Sequence, residues 1–128
     1  MQNKPAIKLE IQMSVFNNYQ EVRRLLQSIG TTERGIEIME DKMMFQVLKI
    51  CNLDTRAANI LKQSMLSQGG ELAVSAGTVN LAVPYTDAVL MGTVHQIKNA
   101  LPRLKEQPWG LKGLAEQLEE YLKGLKYS

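Results

Sequence analysis

A single histidine, His95, limits the chemistry that this sequence can perform. One imidazole cannot form a metal site with several histidine ligands, nor a relay of histidines that passes protons. His95 follows Gly92 and Thr93, where a predicted strand passes into a predicted helix. Backbone N–H groups and the helix dipole converge at such a junction and favour an anion. We therefore identify Gly92, Thr93 and His95 as candidate ligand-binding residues; the alternative is a plain turn with a solvated histidine.

The second candidate surface lies on the helix predicted within residues 57–74, whose sequence is AANILKQSMLSQGGELAV. Lys62, Gln63 and Ser67 fall at or near its polar side, opposite the apolar residues. They form either a solvated helix face or a docking or ligand surface. No G-x-S-x-G elbow or nearby base activates a serine, and neither G-x-G-x-x-G nor G-x-x-x-x-G-K-[ST] is present.

The cysteine and the carboxylates do not form a catalytic set. Cys51 is the only cysteine, which excludes an intrachain disulfide and a cysteine-based metal site, and we expect it to be a small buried hydrophobe. Glu40 and Asp41 are adjacent, so their side chains point in different directions on a helix or a strand. The sequence therefore predicts no catalytic residue, no metal ligand and no cofactor.

Two features are typical of an interface. Trp109 lies between Pro108 and Gly110, where an indole either closes the edge of the core, which we expect here, or anchors a partner. Leu118 and Leu122 belong to the leucine-rich face of the last predicted helix, which covers the sheet or pairs with another subunit. Trp109, Leu118 and Leu122 are thus candidate interface residues of a homo-oligomer.

The elements that must position these residues alternate between strand and helix patterns. Residues 6–16 alternate apolar and polar side chains, which predicts a half-buried strand. Residues 43–53 could form a helix, but their β-branched and aromatic content favours a strand. Further strands are predicted at 71–74 and 86–93, with a loop or another strand at 75–85 and a short strand or the lead into a helix near 36–39. Helices are predicted at 19–29 after Asn17 or Asn18, at 55–68 after Asp54, at 94–107 with a kink or break at Pro102, and at 111–125.

This order predicts one α/β domain over residues 1–128. We expect an α/β sandwich in which a mixed sheet of about four to five strands packs with about four helices. The length of 128 residues, 45% hydrophobic and 22% charged, fits a single globular domain. A net charge of +2 with 5% aromatic residues does not favour nucleic acid, and no apolar run is long enough for a membrane span. We expect a cytoplasmic protein.

Three segments together resemble a known family. They are RAANILKQSMLSQGGELAV (56–74), TDAVLMGTVHQI (86–97) and LKEQPWGLKGLAEQLEEYL (104–122), and they are similar to the N-terminal accessory domain of long bacterial and archaeal dihydropteroate synthases. Ser64 stands where that family has an acidic residue. The matching positions are Lys62, Gln63, Met65, Leu66, Gly69, Gly70, Ala73, Val74, Thr86, Asp87, Leu90, Met91, Gly92 and Thr93.

The resemblance implies a function without catalysis. The enzyme of that family joins a pterin pyrophosphate to p-aminobenzoate in a TIM barrel, and a barrel needs about 200 residues or more. The resemblance therefore implies an accessory or binding domain of pterin, folate or one-carbon metabolism. Such a domain would act through a small ligand or through a catalytic barrel of the dihydropteroate synthase type. The alternatives are a free-standing sensor or carrier of an anionic ligand and a structural homo-oligomerisation module.

Overall fold

The computed structural model describes residues 5–11, 15–16 and 18–127. Within them, five helices and three strands follow one another along the chain. Their order is α1 (Tyr19–Ser28), α2 (Glu33–Met43), β1 (Phe45–Asp54), α3 (Thr55–Ser67), β2 (Glu71–Val74), β3 (Tyr85–Thr93), α4 (Val94–Leu104) and α5 (Leu111–Leu125). The α/β class predicted from the sequence is confirmed.

The three described strands form one antiparallel sheet with β3 in the centre and β1 and β2 at its edges. The pairing of β1 with β3 runs from Phe45 opposite Thr93 to Asp54 opposite Tyr85, with an irregularity between Ile50 and Leu53. The expected four to five strands in a mixed sheet were therefore too many, and the described strands pair only in the antiparallel sense.

Three segments explain this difference. Residues 5–11 form no regular structure, and Ile7, Leu9 and Ile11 are exposed, so the strand predicted there is wrong in its described part. An alternating pattern makes a segment suited to a strand but does not supply a neighbouring strand to pair with. Met13 and Asn17 lie outside the described residues. Residues 75–84 form turns without a strand, and 36–39 belong to α2.

Local signals place most of the remaining elements correctly. Asn18 caps α1 by accepting from the N–H of Glu21, and Asp54 caps α3 by accepting from the N–H of Arg56. Gly69 follows α3 with φ +88°, a left-handed conformation that glycine adopts readily. Helix α4 runs through Pro102 and ends at Leu104, so the proline lies in its last turn.

The core lies between one face of the sheet and the helices. Alternate residues of β3, including Ala88 and Leu90, are buried towards that side, where α2, α3 and α4 contact the sheet. The intervening residues of each strand point to the other side of the sheet, which we call the open sheet face. Its apolar members are Phe45, Val47, Ala73, Tyr85, Val89 and Met91. Cys51 also follows the outward-pointing alternation of β1 and is exposed, so the expectation that it is buried is wrong.

The turn after α3 packs closely on β3, and this contact is testable. A Cβ atom on Gly70 would lie 2.6 Å from Cε of Met65 and 2.8 Å from the carbonyl oxygen of Met91. We expect Gly70→Ala to lower the free energy of unfolding by about 1–3 kcal/mol, because the backbone of β3 must shift. Gly113→Ala, in α5 and without atoms within 4 Å, should raise it by about 0.5–1 kcal/mol. Urea unfolding measures both; an unchanged midpoint for Gly70→Ala would contradict the close packing.

Candidate functional site

The two segments that carry the sequence motifs meet in the structure. A Cβ atom on Gly92 would lie 3.1 Å from Cε of Met65 and 3.1 Å from Oε1 of Gln96, and one on Gly69 would lie 3.0 Å from Nε2 of Gln96. The end of α3 and the start of α4 therefore pack together through glycines. Larger residues at these positions would push the two helices apart.

The N-terminus of α4 uses its own side chains to satisfy its backbone. Thr93 Oγ1 accepts from the N–H of Gln96 at 3.1 Å, and Gln96 Oε1 accepts from the N–H of Thr93 at 2.9 Å, which is a capping box. The N–H of Val94 donates to the carbonyl oxygen of Met44 at 2.8 Å. Three N–H groups that an anion would use thus already have protein acceptors. The predicted N-cap role of Thr93 is confirmed, while anion binding at Gly92 and Thr93 stays a prediction.

The other predicted ligand residues have structural contacts of their own. Lys62 Nζ donates to the carbonyl oxygen of Leu72 at 3.1 Å and lies 3.4 Å from the Glu71 carboxylate, so it joins α3 to β2. Ser67 Oγ donates to the carbonyl oxygen of Ser64 at 2.7 Å.

Gln63 is exposed. His95 is half-buried, with Nε2 3.2 Å from Nδ2 of Asn99. The side-chain contacts of Lys62 and Ser67 lie within α3 and β2, whereas those of Thr93 and His95 lie within α4.

The candidate interface residues fall in two different environments. Leu118 and Leu122 are buried in the core of the chain itself. Trp109 is 44% exposed, and the guanidinium of Arg56 lies 4.7 Å from its ring centroid. The expectation that Trp109 closes the core is wrong, because the indole packs against Arg56 at the surface and does not join the buried cluster. Of the three residues, only Trp109 is available at the surface of this structure.

A cluster of charges that sequence reasoning missed joins four helices. Asp41 accepts from the Tyr19 hydroxyl at 2.6 Å and from Lys98 Nζ at 2.7 Å. Glu40, only 6% exposed, accepts from Arg23 at 2.7 Å and lies 3.3 Å from Lys126 Nζ. Glu40 and Asp41 do point differently, as expected, but both reach Lys126, which is 3.9 Å from Asp41.

One signal in the sequence could have found part of this cluster. Ile36 and Glu40 are four residues apart, which puts Glu40 on the apolar side of α2. A buried carboxylate needs a partner of opposite charge, and that requirement points to basic residues on neighbouring helices. Its partners Arg23 and Lys126 lie on α1 and just after α5.

The environment of the cluster keeps Asp41 ionised. Burial by itself would raise the pKa of Asp41, but the hydrogen bonds from Lys98 and Tyr19 and the charges of Lys98 and Lys126 outweigh it, so the pKa is lowered. Burial, the hydrogen bond to Asp41 and the negative charges of Asp41 and Glu40 raise the pKa of Tyr19. The hydroxyl of Tyr19 therefore remains a donor, and the cluster is a structural ion-pair network.

The open sheet face offers contact area. Val47 lies opposite Met91, Met91 also pairs with β2, and Val89 lies between Lys49 and Ala73. Val47 is 64% exposed. Lys49, Glu71 and Asp87 also lie on this face. Val47, Met91 and Val89 nevertheless form an apolar strip across β1 and β3, and such a strip is typical of a surface that contacts another molecule.

The described residues contain neither a metal-binding cluster nor a membrane-spanning helix. Among residues 5–11, 15–16 and 18–127, no three His, Cys, Asp or Glu side chains lie close enough to hold a metal ion. In the same part of the chain, no helix is both long and apolar enough to cross a bilayer.

The chain is similar to parts of longer proteins that contain dihydropteroate synthase. The bifunctional dihydropteroate synthase/dihydropteroate reductase of Helicobacter pylori is 32% identical over 109 residues, which are 85% of this chain and 29% of that protein. The probable bifunctional folylpolyglutamate synthase/dihydropteroate synthase of Halobacterium salinarum is 35% identical over 102 residues, 80% of this chain and 12% of that protein. The resemblance inferred from the sequence is confirmed, and the chain spans less than a third of these relatives. No protein-family model and no solved structure matches it significantly.

The ion pairs of Asp41 make stability depend on pH in a defined direction. Because folding lowers its pKa, ionised Asp41 stabilises the fold above its unfolded pKa of about 3.9, and this stabilisation is lost as the pH falls through the folded pKa. We expect Asp41→Asn to lower the free energy of unfolding by about 1.5–3 kcal/mol at pH 7. The variant should also lose less stability than the parent on acidification from neutral pH. Urea unfolding at several pH values measures both, and parallel pH profiles would contradict this role of Asp41.

Proposed function

We propose that this chain is a non-catalytic accessory domain of pterin, folate or one-carbon metabolism. It docks through its open sheet face onto a catalytic domain of the dihydropteroate synthase type. The observation that carries the proposal is the apolar strip of Val47, Val89 and Met91 on a sheet whose other face is covered by helices.

The relatives support the kind of partner. In the Helicobacter pylori protein the similar segment is less than a third of one polypeptide, and that polypeptide is named for dihydropteroate synthase. The same holds for a smaller part of the Halobacterium salinarum protein. A segment that shares a polypeptide with a catalytic domain meets it at a high effective concentration, so a modest contact surface is sufficient to hold the two together.

The chemistry of the described residues supports a role without catalysis. The hydroxyl of Ser67 donates to the carbonyl oxygen of Ser64, and Cys51 is an exposed free thiol. The charged cluster around Asp41 pairs its acids with lysines and an arginine. A general acid or base needs a free position towards a substrate, which these paired groups do not offer.

Replacement of one residue in the centre of the open sheet face tests the docking. Val47→Lys places a charge beside Met91 and Lys49, and we expect it to weaken binding to the separately purified dihydropteroate synthase domain of the same cell at least tenfold. This loss corresponds to about 1.4 kcal/mol, the size expected for a central apolar contact. Val79→Lys is the matched control, because Val79 is 76% exposed and lies outside the sheet. Titration calorimetry gives both affinities.

The outcomes separate the parts of the proposal. Equal affinity of both variants would place the docking surface elsewhere. Absence of binding by the parent chain, together with a dimer in light scattering that Val47→Lys breaks, would make the open sheet face a homo-oligomer interface. Turnover of a pterin pyrophosphate with p-aminobenzoate by the isolated chain would contradict the non-catalytic role.

A further inference from the structure

An open cavity of about 430 Å³ lies between α4, α5 and the residues that follow each of them, and no motif in the sequence indicates it. Four lysines and one carboxylate line it, and we call it the lysine groove: Lys98, Lys105, Lys123, Lys126 and Glu119. Its volume is within the range of about 300–1,000 Å³ that small-molecule sites occupy. The groove lies on the helical side of the domain, away from the open sheet face.

The single carboxylate of the lining serves two lysines. Glu119 accepts from Lys105 Nζ at 2.6 Å and lies 3.8 Å from Lys123 Nζ. The hydrogen bond and the charge of Lys105 lower the pKa of Glu119, so Glu119 remains an anion that is paired mainly with Lys105. Lys123 is therefore only weakly neutralised at one side of the groove.

The other two lysines depend on acids behind the groove. Lys98 contacts Asp41, and Lys126 contacts Glu40 and Asp41, but these acids also serve Tyr19 and Arg23. The four ammonium groups of the groove are thus paired with three carboxylates, and one of these, Glu40, is shared with Arg23. An excess of positive charge remains, and partial burial between two helices weakens its screening by solvent.

The rest of the lining consists of Tyr127 and three apolar residues. Leu101, Pro102 and Leu122 form part of the wall between the lysines. A ligand that fits this lining needs a compact apolar body against the leucines and proline, and an anionic head towards the ammonium groups. Lysine donates to carboxylate or phosphate as a mobile point charge and does not impose the planar geometry that arginine requires.

We propose that the lysine groove binds a small organic anion, with an aromatic or alicyclic body and a carboxylate or phosphate head. The head contacts Lys105 and Lys123, and the body packs on Leu101 and Pro102. This site is separate from the Gly92–Thr93 junction, where backbone donors already have acceptors, and it does not depend on the docking surface.

Titration of the chain with three probes, observed by amide NMR, tests the proposal. Phenyl phosphate and phenylacetate present the same apolar ring with different heads, and inorganic phosphate presents a head alone. We expect saturable shifts of amides in α4 and α5, with Kd below about 1 mM for at least one ring-bearing probe, and at least tenfold weaker binding of inorganic phosphate. The stronger of the two ring-bearing probes identifies the preferred head.

Matched lysine variants distinguish a built site from general attraction of anions. Lys105→Gln with Lys123→Gln should lower the affinity at least tenfold, because charge-assisted hydrogen bonds to the head are lost. Lys49→Gln with Lys112→Gln removes the same charge outside the groove, from the sheet and from the exposed side of α5, and should leave the affinity within twofold. Equal losses in both variants, binding of inorganic phosphate as tight as that of the ring-bearing probes, or no saturable shift up to about 10 mM would each overturn the proposal.

Discussion

The carboxylates of α2 hold the helical side of this domain together. Asp41 receives a hydroxyl from α1 and an ammonium from α4, while Glu40 receives an arginine from α1 and approaches Lys126, which follows α5. Residues far apart in the sequence thus meet at two adjacent acids. Loss of one partner leaves a partly buried charge without compensation, so the cluster fixes how the four helices lie relative to one another. The same acids hold Lys98 and Lys126, two of the four lysines that line the lysine groove.

The architecture separates two kinds of surface. The three-stranded sheet turns one face to the core and leaves the other to solvent, with apolar residues from all three strands on it. The helices carry almost all of the ion pairs described. A large partner can therefore cover the sheet without contacting the groove, and a small anion can enter the groove without contacting the sheet. Two functions proposed for one domain of this size are compatible because they use different layers.

Most of the segment from β1 to α4 could be predicted because its signals are local. Asp54 caps α3, Gly69 ends it in a left-handed conformation, and Thr93 begins α4, each within a few residues of the element it bounds. What sequence reasoning missed depends on distant partners. The alternating pattern of residues 5–11 predicts a strand, but these residues are exposed, and Trp109 lies at the surface beside Arg56, which is more than fifty residues away in the sequence. The charged cluster and the lysine groove require the packing of helices, which no local pattern encodes.

Two strands pass directly into helices without a connecting residue, and this constrains where the chain can vary in length. Strand β1 ends at Asp54 and α3 begins at Thr55; β3 ends at Thr93 and α4 begins at Val94. An insertion there would remove a cap and rotate a helix off the sheet. The exposed turn residues 79–82 carry no such constraint. Related proteins can therefore differ in size, and an engineered tag or a fused domain can be accommodated, at these exposed turn residues without disturbing either proposed surface.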